Sequence, residues 1–186
     1  MIDKRKSCSL AFISAAMVLM LLSTAYAAPF AHIKSNNNNT ASTSNSINNV
    51  ITATINVGDN PTRIAMSPDG TKIYVLTQTP LMSNNVSVID TATNTVIATV
   101  PIEDWSYKVY VNTAGTKVYV MNNQNVSVIN TTTNTVIGTV HVRYHLTDAA
   151  ITPDGTKVYV SDHDENSIYV IDTATNTVTN TMFIGE

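Results

Sequence analysis

The 186-residue sequence holds 10 Lys+Arg against 13 Asp+Glu, with 44% apolar and only 12% charged residues, about half the charged fraction of an ordinary globular domain. Its 28 threonines and 21 asparagines fill the gap. Branched Thr fits a pleated surface and Asn tolerates left-handed turns, so the composition points to strands joined by tight turns and excludes a helical enzyme core. A net charge of −3 with no basic run in the folded region excludes the electrostatic footprint that nucleic-acid binding requires.

Residues 1–27 predict a signal peptide. Asp3-Lys4-Arg5-Lys6 is a basic n-region, Leu10 to Leu22 an apolar h-region, and Ala25-Tyr26-Ala27 an A-x-A cleavage site. The apolar run is shorter than the roughly 20 residues that span a bilayer. The expected product is exported, with 7 basic and 12 acidic residues and a net charge of −5. The single cysteine, Cys8, sits inside the leader, so the mature chain is expected to hold no disulfide, thiolate nucleophile or cysteine metal site.

Residues 28–49 are rich in Asn, Ser and Thr, with Asn36 to Asn39 in a row, a composition usual in linkers. Residues 50–186 repeat. Pro68-Asp69-Gly70-Thr71-Lys72-Ile73-Tyr74-Val75 returns as Ala114-Gly115-Thr116-Lys117-Val118-Tyr119-Val120 and as Pro153-Asp154-Gly155-Thr156-Lys157-Val158-Tyr159-Val160. Val88-Ile89-Asp90-Thr91-Ala92-Thr93-Asn94-Thr95-Val96 returns around Asn130 and around Asp172. Only one connection changes length: Gly70 to Asp90 spans 20 residues, Gly115 to Asn130 spans 15, and Gly155 to Asp172 spans 17. A period of about 40–45 residues is that of a four-stranded propeller blade.

Each repeat reads as four strands, A to D. In the first they are Thr62 to Ser67, Lys72 to Thr77, Asn85 to Asp90 and Thr95 to Pro101, each rich in Val, Ile, Tyr or Thr and bounded by turn residues. Pro-Asp-Gly makes the A to B turn: Pro presets it, Asp bonds back to the backbone and Gly takes positive φ. Strand B is apolar at consecutive positions (Ile73, Tyr74, Val75, Leu76), as a sheet covered on both faces requires.

Gly-Thr-Lys-Val-Tyr-Val, a Val-Ser-Val-Ile-Asp strand and Thr-Ala-Thr-Asn-Thr-Val-Ile together resemble the YVTN-type β-propeller repeat, abundant in surface-layer-like proteins of methanogenic archaea. The likeness covers residues 51–186. The signature itself departs from its namesake, reading Tyr74-Val75-Leu76-Thr77, Tyr119-Val120-Met121-Asn122 and Tyr159-Val160-Ser161-Asp162. The resemblance implies an exported surface protein of structural or unassigned role; the expected function is a structural or binding module at the cell surface, with no cofactor. The resemblance also makes residues 30–57 an eroded blade, with Phe30-Ala31-His32-Ile33 near its B strand.

The expected fold is therefore all-β: four-stranded antiparallel propeller blades at about 58–101, 102–141 and 142–184, after an N-terminal partial blade, for about 15 strands in all. Rings of this kind mostly take about six to eight blades, so a ring closed by this chain alone is not expected. Truncation of a longer array, association with further blades or other surface proteins, and self-association are the readings this favours. A four-blade ring missing one strand is the alternative. The outer blade faces are expected to consist of residues such as Val158, Val160, Ile168 and Val170.

The near-identical A to B and C to D turns lie at one end of the strands, and everything that differs between repeats lies at the other. That second end is the candidate binding rim: Trp105, Tyr107, Arg143, Tyr144 and His145. Trp105 and Tyr107 could stack a sugar ring or anchor a partner, or else plug a blade interface. Asp162, Asp164 and Asn166 have the opening spacing of a calcium loop, but Ser167 replaces its glycine and Thr173 its bidentate glutamate, so a solvated acidic hairpin is the competing reading. His141, His145, His163 and Asp148 match no metal spacing. Sequons at Asn38, Asn85, Asn125 and Asn130 are candidate N-glycosylation sites. A propeller hydrolase of lactonase-like type is the alternative function, but it needs convergent carboxylates. The strand A positions (Arg63, Ala65, Ser67; Lys108, Tyr110, Asn112; Asp148, Ala150, Thr152) do not offer them, and no catalytic residue is expected.

Overall fold

The computed structural model describes residues 31–32, 40–45, 50–79, 84–103, 105–143 and 145–185; the predicted leader, Asn38 and Tyr144 lie outside them. These residues form strands and no helix, in one three-stranded and three four-stranded antiparallel sheets. The first sheet runs β1 (Ala31–His32), β2 (Thr40–Asn45), β3 (Val50–Asn56). The second is β4 (Pro61–Met66), β5 (Lys72–Gln78), β6 (Asn84–Asp90), β7 (Thr95–Ile102). The third is β8 (Lys108–Val111), β9 (Lys117–Met121), β10 (Asn125–Asn130), β11 (Thr135–His141). The fourth is β12 (Leu146–Ile151), β13 (Lys157–Asp162), β14 (Ser167–Asp172), β15 (Thr177–Phe183). Strands pair only with their neighbours in sequence, each sheet a simple meander. The same register shift recurs in the last pair of every sheet, at Thr43/Ser44, Val88/Ile89, Val128/Ile129 and Val170/Ile171. That recurrence fixes the structural equivalence of the repeats.

Each sheet packs on the next through strands buried on both faces. Alternate residues of a strand face opposite ways, so Ile73 and Val75 join Ile55 and Val57 in one cluster. Tyr74 and Leu76 of the same strand join Val109, Val118, Val120 and Ile129 in another. One sheet further, Tyr119 and Met121 join Leu146, Val158, Val160 and Ile171. Each fully buried Val, Leu or Ile in these layers contributes about 1.5–3 kcal/mol relative to exposure.

This corrects one expectation. Val158 and Val160 do not form an outer face; both are fully buried against the β8–β11 sheet. The other face of the β12–β15 sheet carries Tyr159, Ser161, Ile168, Val170 and Met182, by the cross-strand pairing, and no buried cluster among the described residues forms on it. The sequence pattern alone gives no parity, because both faces of strand B are apolar. Which face is covered depends on which neighbour is present.

The turn end of the strands forms a ledge. Asp90, Asn130 and Asp172 each accept, through Oδ1, the N–H groups two and three residues on. Asn94, Asn134 and Asn176 follow at φ 53–55°, where Asn is tolerated. Thr91, Thr131 and Thr173 donate their hydroxyls to the carbonyls of Gly70, Gly115 and Gly155 at 2.7–2.8 Å, tying the two turns of each sheet together. Those glycines sit at φ 69–72°, which only glycine adopts without strain. Sheets are also clamped to one another here. Lys72 Nζ donates to the Thr131 carbonyl at 2.8 Å, and Lys117 Nζ to the Thr173 carbonyl and, at 3.3 Å, to Asn176 Oδ1.

Candidate functional site

At the opposite end, three structurally equivalent corners carry unlike chemistry. Asn60 and His145 each stand one residue before a first strand and Trp105 three residues before one, and all three have left-handed backbone, at φ 42°, 61° and 61°. Asn accepts that conformation readily; a bulky L-residue there costs roughly 1–2 kcal/mol. The turn geometry therefore tolerates Trp105 and His145 at a cost, and both side chains are directed outward, with Trp105 61% exposed.

The Trp105 corner is the most elaborately supported. The hydrogen-bond geometry turns the side-chain oxygen of buried Asn84 toward the N–H groups of Ser106 and Trp105, at 2.7 and 3.1 Å. Gln78 Nε2 donates to the Ser106 carbonyl at 2.9 Å, and Ser106 Oγ to the Glu103 carbonyl at 2.8 Å. Residues of the preceding sheet thus hold the turn that presents the indole. Beside it Glu103 Oε2 accepts from Asn122 Nδ2 (2.8 Å) and Asn125 Nδ2 (2.7 Å). Asn122 Oδ1 in turn accepts the N–H groups of Gln124 and Asn125, and Asn125 Oδ1 is 2.6 Å from His141 Nδ1. Glu103, Trp105, Asn122, Asn123, Gln124 and Asn125 line a concavity of about 610 Å³.

The next corner repeats the plan with the polarity changed. Arg143 occupies the Glu103 position and Asp162 the Asn122 position, while the first corner has Gly58 and Thr77 there. Asp162 is buried, and its Oδ1 accepts from the N–H groups of Asp164 and Glu165, capping the β13–β14 hairpin. Asp162 Oδ2 is buried with no hydrogen-bond partner. Arg143 is instead turned outward to Glu165, at 3.2 Å.

The calcium candidate is not assembled as a ligand set. Asp162 serves the hairpin backbone, and Asp164 is engaged by the imidazoles of His145 and, at 3.0 Å, His163. Those two imidazoles hold the Asp164 carboxyl below the usual carboxylate range, His163 having the larger effect. Asn166 sits at φ 47° in the hairpin turn. Among the described residues no group of three or more His, Cys, Asp or Glu side chains converges as a metal site.

Tyr107 is not displayed on the rim. It lies between sheets, its hydroxyl donating to the Leu146 carbonyl, and burial pushes its pKa up to about 12. Tyr110 donates to Asp148 Oδ1, which also lies 3.4 Å from Lys108 Nζ. This consumes the one carboxylate among the first-strand positions. Of the described sequons, Asn125 has its side-chain nitrogen committed to Glu103. Asn130 has its oxygen committed to its turn, and Asn85 is half-buried beside a second, smaller concavity of about 310 Å³ near Gly58 and Thr77.

Sequence reasoning missed Glu103, Asn122 and Gln78 as site residues, and gave Asn84 only as part of a variable rim loop and Asn125 only as a sequon. Setting the repeats in register would have exposed the first two, since Gly58, Glu103 and Arg143 then share one column and Thr77, Asn122 and Asp162 another.

No protein-family model matches the chain, and no curated protein matches it in sequence. Among solved structures it is similar to a chain of hydrazine synthase from Kuenenia stuttgartiensis, with a TM-score of 0.70 and 22% identity over 80% of this chain. The match spans 44% of that chain, and at this identity it shows a shared fold alone. The chain is thus an all-β protein of one three-stranded and three four-stranded antiparallel sheets packed in series, with no helix among the described residues.

Proposed function

We propose that the chain is an exported cell-surface protein whose sheets are successive blades of a YVTN-type β-propeller, and that it acts as a structural or binding module. The observation that carries this reading is the contrast between the two ends of the strands. Three copies of one hydrogen-bonded ledge are set against three corners whose equivalent positions hold Gly, Glu and Arg, or Asn, Trp and His. A scaffold that repeats its turns while varying one rim is built to present different side chains on a common frame. The basic n-region and Ala25-Tyr26-Ala27 support export. The open face of the β12–β15 sheet, with Lys157 placed as Lys72 and Lys117 are, supports association with further blades or with another copy.

Fractionation of cells that make the native protein tests this reading. The expected species lies in the surface or medium fraction and starts at Ala28 or within a residue or two. A cytosolic species that retains Met1 would remove the basis for a surface role.

A further inference from the structure

Resting on the binding-module reading, we propose that the concavity at Trp105 is a binding site for a neutral saccharide. Its lining is unusual in kind: one exposed indole face and five planar polar side chains, Glu103, Asn122, Asn123, Gln124 and Asn125, with no other apolar group. An apolar ligand would cover the Glu103 carboxylate and the outward amides of Asn123 and Gln124 without water or partner, which costs more than the contact with one ring returns. An anionic ligand would face the Glu103 carboxylate. A pyranose supplies what the lining asks for, a C–H face to lie on the indole and hydroxyls around its edge that both donate and accept.

The polar groups are set for that task. Glu103 Oε2 is held by two amides, and its Oε1 has no partner among the described residues, leaving a fixed acceptor for a hydroxyl. Asn123 and Gln124 are exposed, and their side-chain amides have no partner among the described residues. The platform is held as well. Trp105 keeps its left-handed backbone because Asn84 and Gln78 of the neighbouring sheet bind the turn from two sides. A site whose parts are already ordered loses little entropy on binding. About 610 Å³ accommodates one or two sugar rings.

Trp105 is the sole tryptophan of the chain, so its fluorescence reports on this site alone. The exported protein is titrated with chitotriose, maltotriose and cellotriose, and with an array of neutral glycans, alongside uronic-acid oligomers. The expected result is a saturable emission change with at least one neutral glycan and none with the uronic acids. By calorimetry, Trp105→Ala lowers the affinity by about tenfold or more, the worth of one good stacking contact. Glu103→Gln, which keeps the reporter, weakens binding several-fold while circular dichroism stays unchanged. A flat response to every neutral glycan, or full affinity retained by Trp105→Ala, overturns the saccharide site. If that happens while the protein is recovered at the cell surface, the wider reading stands. If saccharide binds but the protein is never exported, only the surface role falls.

Discussion

Val160 and Ile168 sit on adjacent strands of one sheet and point to opposite faces, so truncating each separately tests the serial packing. Val160 is fully buried in the layer shared with Tyr119, Met121 and Val128. Removing its two methyl groups forfeits about 0.8 kcal/mol per group in transfer free energy. A cavity term follows, because the flanking strands cannot close the gap, for about 2–3 kcal/mol in all. Ile168→Ala is the larger truncation. Yet Ile168 is only half-buried, on the face that carries no cluster among the described residues, and its loss should cost under about 1 kcal/mol in dilute protein. Urea unfolding followed by far-ultraviolet circular dichroism at several protein concentrations separates the two. Val160→Ala shifts the midpoint equally at every concentration. Ile168→Ala shows its effect only where the wild type is stabilised by raising its own concentration. An Ile168→Ala loss at low concentration equal to or above that of Val160→Ala would refute the assigned face parity, and with it the packing order.

Lys117→Met removes the donor to the Thr173 carbonyl and Asn176 while keeping the aliphatic stem, and should cost about 1 kcal/mol by chemical denaturation. Lys157→Met, at the equivalent place with no such acceptor among the described residues, should be neutral in dilute protein. Acid should unfold the ledge. The Ser67 hydroxyl and the Thr71 N–H and hydroxyl pull Asp69 down from 3.8 to about 2, and turn N–H and hydroxyl donors lower Asp90, Asp154 and Asp172 as well. A depressed folded pKa gives stability that is present above the unfolded value and lost as pH falls through the folded one. The denaturation midpoint should therefore be flat above about pH 5 and fall between about pH 4 and 2. A midpoint unchanged down to pH 2 would contradict these turn contacts.

The ledge was legible because its chemistry is local. Pro-Asp-Gly and Asp-Thr-Ala-Thr-Asn-Thr carry their own capping groups within a few residues, so strand ends fell within a residue or two: Lys72 to Thr77 was expected and Lys72–Gln78 is found. The rim was not legible, because its contacts cross connections. Glu103 meets Asn122 and Asn125 from 19 and 22 residues away, and no local pattern marks them. Left-handed backbone at Trp105 and His145 runs against propensity and shows only when Asn60 is placed in the same column. Tyr107 looked like a rim aromatic since alternation in an extended segment puts residues two apart on one face, but the left-handed backbone at Trp105, φ 61°, breaks that alternation and Tyr107 turns toward the adjoining sheet.

The association proposed above would cover the Ile168 face of the β12–β15 sheet with further blades or with a second copy. Multi-angle light scattering of the exported protein across a hundredfold range of concentration tests it most directly. A defined oligomer that strengthens with concentration and is disrupted by Ile168→Asp is the predicted result. A monomer unchanged over that range, melting cooperatively and indifferent to Ile168→Asp, would contradict it.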